Sequence, residues 1–199
     1  MVDTAEHLMS CGFQVIYGYT QSDEISLLFD RGETSFGRKL RKYQSILAGE
    51  ASAKLSLLLG NLAVFDCRVS QLPTVDLVVD YFRWRHEDAH RNALNAHCYW
   101  AQRKAGAGVA EATNKLSGVS VAEKNELLFR EYGVNFNDLP SWQKRGVGLY
   151  WKAYTKAAVN PRTGEPVQAT RRRIERDFEL PMKDEYSSFV RHLVDPDRC

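Results

Sequence analysis

Apolar positions along this chain follow two rhythms, one of helical spacing and one of strand-like alternation. Val2, Ala5, Leu8 and Met9 fall on one side of a helix, so residues 2–11 read as the end of an amphipathic helix with Gly12 as its C-cap. Residues 13–19 are rich in β-branched and aromatic side chains and predict a strand. Thr20, Gln21, Ser22 and Asp23 supply polar turn chemistry before a second strand over 25–29, which makes a hairpin with carboxylates near its tip. A helix follows over 36–59, carrying Ile46, Leu47, Leu55 and Leu58 and closed by Gly60 and Asn61. Residues 63–69 predict a third strand. Pro73 and Thr74 open a long helix from 75 to about 104, broken by Ala105, Gly106, Ala107 and Gly108. Shorter helices are expected near 109–116 and 120–132. From Trp142 onward the pattern is strands and turns, with Asn160, Pro161, Arg162, Thr163 and Gly164 turning between strands over 154–159 and 167–174.

The order helix, strand, strand, helix, strand is that of an α+β, ferredoxin-like antiparallel sheet with flanking helices whose first strand is missing. On this pattern the start at Met1 reads as a truncation inside the first helix. The expected division is a domain over 1–140 and a C-terminal extension over 141–199 with a basic β-hairpin.

Composition narrows the class. The 199 residues are 44% hydrophobic and 11% aromatic, enough for a real core, and 26% charged, an ordinary globular share. The net charge of +2 gives no bulk electrostatic argument for nucleic-acid binding, so such an argument has to rest on local clusters. Cys11, Cys67, Cys98 and Cys199 form no CxxC pair, which argues against a disulfide framework or a thiolate zinc site and for reduced thiols in a cytoplasmic protein. No apolar run approaches membrane-spanning length, and the acidic start does not resemble a signal peptide.

The candidate chemistry begins at the hairpin tip. Asp23 and Glu24 are neighbours there, with Asp66 on the predicted third strand. Carboxylates at strand ends can hold Mg²⁺, which prefers hard oxygen ligands, and paired ions can activate a hydroxyl and stabilise a leaving pyrophosphate. Hairpin turns also favour Asp and Ser for purely local reasons. A rival motif, His86-Glu87-Asp88-Ala89-His90, fits H-E-x-x-H. Its extended zinc-protease form wants Gly and His where Ala93 and Ala96 stand, and Arg83, Arg85 and Arg91 crowd the same helix against a dication.

Three further segments occur in order behind Gln21-Ser22-Asp23-Glu24: Phe65-Asp66-Cys67-Arg68; Asp80-Tyr81-Phe82-Arg83-Trp84-Arg85 running on through His90, Asn92 and Asn95; and Lys124-Asn125-Glu126 followed by Asn135-Phe136-Asn137-Asp138. Together they resemble the tRNA-histidine guanylyltransferase family, and most closely the bacterial and archaeal-type members that repair tRNA 5′ ends. The resemblance covers about residues 2–150, with a similar tail through Tyr186. It implies a polymerase-palm-like fold, Mg²⁺, GTP and ATP as substrates, tRNA as partner, a homotetramer, and nucleotide addition in the 3′-to-5′ direction. Carried over residue by residue, Asp23 matches the second metal-binding aspartate of the family. Glu24, next to it in the sequence, is a candidate catalytic carboxylate outside that match, with a supporting role beside the metal and a structural role both open. Ser22, Arg38, Lys39 and Lys42 fall at nucleotide-binding positions. Arg83, Arg85, His90, Asn92, Asn95, Lys124 and Asn125 fall in segments tied to tRNA handling. Family members have an earlier strand with an Asp-Gly pair that supplies the first metal ligand, and this sequence starts after that point. A catalytically incomplete tRNA-binding fragment is therefore the alternative reading, and an H-E-x-x-H zinc peptidase a distant one.

Basic clusters recur at Arg38, Lys39, Arg41 and Lys42, at Arg83, Arg85 and Arg91, at Lys144 and Arg145, and at Arg171, Arg172 and Arg173. Such clusters suit RNA phosphates. Tyr81, Phe82 and Trp84, interleaved with the second cluster, read as core.

Overall fold

A computed structural model describes residues 1–196. Cys199 lies outside the described residues, and the other three thiols are free. The chain forms two compact units. The first is built chiefly from Met1–Gln71 and Val147–Asp177, the second from Leu72–Gly146 and Phe178–His192. The chain thus returns to each unit instead of dividing once near 140.

In the first unit the elements are α1 (Val2–Ser10), β1 (Val15–Gln21), β2 (Glu24–Phe29), α2 (Leu40–Leu59), β3 (Val147–Val159) and β4 (Pro166–Asp177). The four strands form one antiparallel sheet in the order β2-β1-β3-β4. Pairing of Thr20 with Ile25 and of Gly18 with Leu27 puts these residues on one face. An irregularity between Val15 and Tyr17 returns Val15 to that face opposite Phe29. This face meets Ala5, Leu8 and Met9 of α1 and Tyr43, Leu47 and Ala51 of α2, all buried, and Val147 and Leu149 of β3 complete the core. Gly18 eases the close approach of α1, because a Cβ there would stand 3.1 Å from the Met9 sulfur, tighter than ordinary van der Waals contact. Arg176 of β4 fastens the same helix through Asp3 and Glu6.

Two expectations change here. The helix expected over 36–59 is broken: Phe36, Gly37 and Arg38 have φ of 54°, 59° and 58°, a left-handed run that no α-helix accommodates, and α2 starts only at Leu40. Glu33, 2% exposed, holds this turn by accepting from the amides of Gln14 and Ser35 at 2.5 Å each. The strand expected over 63–69 keeps its alternating burial, with Phe65, Cys67 and Val69 against the core, yet joins no ladder among the described residues. Hydroxyls of α2 take its amides instead, Ser56 that of Ala63 at 2.9 Å and Ser52 that of Phe65 at 2.8 Å.

The second unit is helical: α3 (Val75–Lys104), α4 (Val109–Leu116), α5 (Val121–Tyr132), α6 (Ser141–Arg145) and α7 (Lys183–Val194). Thr74 caps α3 by accepting from the Leu77 amide, and Ser120 with Glu123 forms a capping box on α5. Leu94, Cys98, Leu116, Leu128 and Phe136 make its core. The tail was expected to hold only strands and turns, but it also contains α7. That helix docks on α3 through Tyr186, fully buried, and through ion pairs of Arg83 with Asp184 at 3.0 Å and of Arg191 with Asp76 at 2.6 Å.

Candidate functional site

The hairpin tip is where the sequence puts its carboxylates, and the ladder defines it closely. Gln21 pairs with Glu24, so Ser22 and Asp23 alone form the turn, with Ser22 at φ 50°. Ser22, Asp23 and Glu24 are all exposed. The Thr20 hydroxyl donates to the Glu24 carbonyl at 2.9 Å, and the Gln21 amide to the Glu24 carboxylate at 3.1 Å. Asp23 therefore projects from a tight, hydrogen-bonded two-residue turn, and Glu24 lies on the sheet face opposite α1 and α2. Asp66 sits on the unpaired 63–69 segment, exposed, 3.9 Å from Arg68. Among the described residues, no three His, Cys, Asp or Glu side chains come together as a metal-holding group. The tip can still contribute to a Mg²⁺ site of the usual kind, in which one or two carboxylates share the ion with substrate phosphates and water.

The basic cluster lies elsewhere on the same unit. Arg38 folds back, donating from Nε to the Glu33 carbonyl at 2.8 Å and from a terminal nitrogen to the Arg31 carbonyl at 2.7 Å. Lys39, Arg41 and Lys42 are exposed at the start of α2, whose first turn has no acidic residue. Cations at this positive helix end are unfavourable by themselves and favour an anion. The first turn of α2 packs at the Phe29 end of β2, since Tyr43 lies 5.4 Å from the Phe29 ring. Asp23 stands at the other end, roughly 20 Å away at the rise of an extended strand. The structure does not bring Arg38, Lys39 and Lys42 to Asp23.

On α3 the expected RNA contacts divide. Arg83 is engaged by Glu87 at 2.9 Å and by Asp184, and these two carboxylates raise its pKa. Arg85 is buried at 9% exposure, so it is not displayed as a phosphate ligand, and its guanidinium lies 5.2 Å from the Trp84 ring. Arg91 and Asn92 both bond Asp88 at 2.9 Å, while Asn95 is exposed. Of the three aromatics read as core, Phe82 is buried and Tyr81 half-buried against it, but Trp84 is 51% exposed. His90 is half-buried with its ring 5.3 Å from Phe136, and burial, then Arg145 and Lys144, lower its pKa. The Lys124 carbonyl accepts from Cys98 at 3.4 Å, so α5 lies beside the Asn95 stretch of α3, and Asn125 bonds the Val121 carbonyl at 2.9 Å. His90, Asn95, Lys124 and Asn125 are thus gathered on one helical layer.

The H-E-x-x-H groups are spent on packing. His86 is 3% exposed and stacks on Tyr186 with ring centres 4.3 Å apart and planes 20° apart. Burial, then the charges of Arg145 and His90, lower its pKa to about 4, so it is neutral in the folded protein. Glu87 points to Arg83. Sequence reasoning missed the structural carboxylate Glu33, whose role depends on a loop closing back on Gln14.

Comparison with known proteins points in one direction. The family described as Thg1 C terminal domain matches residues 76–189, and that described as tRNAHis guanylyltransferase matches residues 1–73. A tRNA(His) guanylyltransferase of Debaryomyces hansenii is 34% identical over 161 residues, covering 75% of this chain and 61% of the relative. A probable tRNA(His) guanylyltransferase of Homo sapiens is 30% identical, covering 76% and 54%. The chain therefore spans little more than half the length of these relatives. Among solved structures, a bacterial tRNA(His) guanylyltransferase (Thg1)-like protein in complex with ATP matches with a TM-score of 0.72 at 28% identity, over 97% of this chain and 76% of that one. The GTP complex of a bacterial protein of the same description matches with a TM-score of 0.68 at 26% identity.

Proposed function

Because the chain belongs to the tRNAHis guanylyltransferase family, we propose that it transfers a nucleotide from GTP or another nucleoside triphosphate to the 5′ end of a tRNA, extending it in the 3′-to-5′ direction with Mg²⁺. The observation that carries this reading is the tight, exposed Ser22-Asp23-Glu24 turn, in a chain that matches an ATP-bound relative over 97% of its length. Asp23 would hold Mg²⁺ together with phosphate oxygens, with Glu24 beside it as a second carboxylate, and the ion would neutralise charge developing on the transferring group. Ser22 offers a hydroxyl beside the triphosphate. The cationic start of α2, with Lys39 and Lys42, supplies a separate anion site for a second triphosphate or an RNA phosphate. Asn95, Lys124 and Asn125 position the tRNA. Assembly as a homotetramer in the cytoplasm completes the proposal.

One observation favours a second reading, RNA binding without transfer: Asp23 stands at the opposite end of β2 from the basic cluster. Labelled GTP and a 5′-truncated tRNA separate the two. The transferase reading expects Mg²⁺-dependent incorporation that Asp23→Ala reduces to background while the circular dichroism spectrum stays unchanged. Tight tRNA binding with no incorporation across several tRNAs would replace it with the binding reading.

A further inference from the structure

Phe36, Gly37 and Arg38 stand in succession at φ of 54°, 59° and 58°. Residues with a Cβ adopt this left-handed conformation singly and at a cost, so a run of three persists only where its surroundings enforce it. Here Glu33 enforces it. Its carboxylate, 2% exposed, ties three elements together. It accepts from the Gln14 amide at the approach to β1 and from the Ser35 amide in the loop, both at 2.5 Å, and from the Tyr43 hydroxyl in α2 at 3.4 Å. The Glu33 carbonyl accepts from Arg38 Nε at 2.8 Å.

Packing of the turn itself does not explain this strain. A Cβ on Gly37 would meet nothing within 4 Å, and Phe36 is 51% exposed. What the run does is set where α2 begins. Past it, Lys39, Arg41 and Lys42 stand exposed beside the first amides of α2, which a helix cannot satisfy from within. Three cations at a positive helix end repel one another and the helix dipole, so their own charges do not hold them there. Arg38, the fourth cation, serves as a brace on the carbonyls of Glu33 and Arg31. Glu33 itself is buried beyond the reach of a ligand. Strained backbone of this kind is concentrated where a ligand is clamped, with the surrounding structure holding the clamp in shape.

We infer that Glu33 is a positioning residue for the anion site at the start of α2: by fixing the left-handed turn it sets Lys39 and Lys42 in the geometry that receives a polyphosphate chain. The inference rests on the reading above in taking a triphosphate as the ligand there. It goes further in assigning the preorganisation of that site to a carboxylate the ligand does not touch.

The test is calorimetric titration of the whole protein with inorganic tripolyphosphate in EDTA, which removes any metal-dependent contribution of Asp23. Lys39→Ala/Lys42→Ala should weaken binding more than tenfold, which locates the probe at α2. Glu33→Gln should weaken it roughly tenfold, about the worth of one charge-assisted contact. The sign discriminates, because removing a negative charge near an anion site would by itself tighten binding. Gly37→Val changes no charge and should weaken binding by a similar factor, since a β-branched residue resists a φ of 59°. Gly37→Asn, which tolerates that φ, should keep the parent affinity. Unchanged or tighter binding by Glu33→Gln overturns the inference, as does Gly37→Val binding like the parent, binding that survives the double lysine variant, or a parent that does not bind. If Glu33→Gln loses the parent's circular dichroism spectrum, the two Gly37 variants decide. Assaying GTP transfer to a 5′-truncated tRNA in the same samples keeps the two readings apart. Binding that depends on Glu33, without transfer by the parent, rejects the transferase alone. Transfer with binding unaltered by these substitutions rejects the positioning role alone.

Discussion

His86 should make the helical unit acid-sensitive above the range where carboxylates titrate. It is 3% exposed and stacked on Tyr186, and burial with the nearby Arg145 and His90 charges lowers its pKa from 6.5 to about 4. In the unfolded chain the same ring takes up a proton near pH 6.5. Between these values the unfolded state binds more protons than the folded one, so the folded state loses ground as pH falls. The contribution is fully present above pH 6.5 and is lost on the way to pH 4. At about 1.4 kcal/mol per pH unit, the whole interval is worth about 3 kcal/mol, with about 2 kcal/mol of it falling between pH 7 and pH 5. His86→Gln removes the titration while keeping a polar side chain of similar reach, and gives up about 1 kcal/mol of ring stacking at pH 7. Urea unfolding followed by circular dichroism at both pH values measures the difference. The parent should lose about 2 kcal/mol more than the variant on going to pH 5. Equal losses within a few tenths of a kcal/mol would mean that His86 is not held neutral, and the reasoning would fail.

Two further perturbations test the first unit. Glu33→Ala should cost about 3 kcal/mol by stranding the amides of Gln14 and Ser35. Burial raises the Glu33 pKa, but those hydrogen bonds and that of Tyr43 lower it further, so its contribution is present above the ordinary carboxylate range and lost below it. Urea midpoints at pH 7 and pH 3.5 should therefore differ less in the variant than in the parent. Gly18→Val forces a branched side chain against the Met9 sulfur and should destabilise by about 1–3 kcal/mol in the same assay, with Gly18→Ala milder because the methionine can yield. A valine variant as stable as the parent would contradict the close approach of α1 to β1.

Local chemistry made much of this protein legible in its sequence. Val75–Lys104 and Val109–Leu116 appear where periodicity, the Thr74 cap and the Gly-containing break put them, because caps and breakers act within a turn of where they stand. The Ser22-Asp23 turn and the hairpin closed by Asn160 and Gly164 were readable for the same reason. The ordered motifs were also sufficient to identify the family. What the sequence could not supply depends on partners distant along the chain. Residues 63–69 have strand periodicity but no ladder, since a strand requires a neighbour with free amides and carbonyls, and here α2 hydroxyls intervene. The left-handed turn at Phe36 follows from Glu33 reaching back to Gln14, 19 residues away. Arg85 looks like Arg83 in the sequence, yet packing buries one and pairs the other.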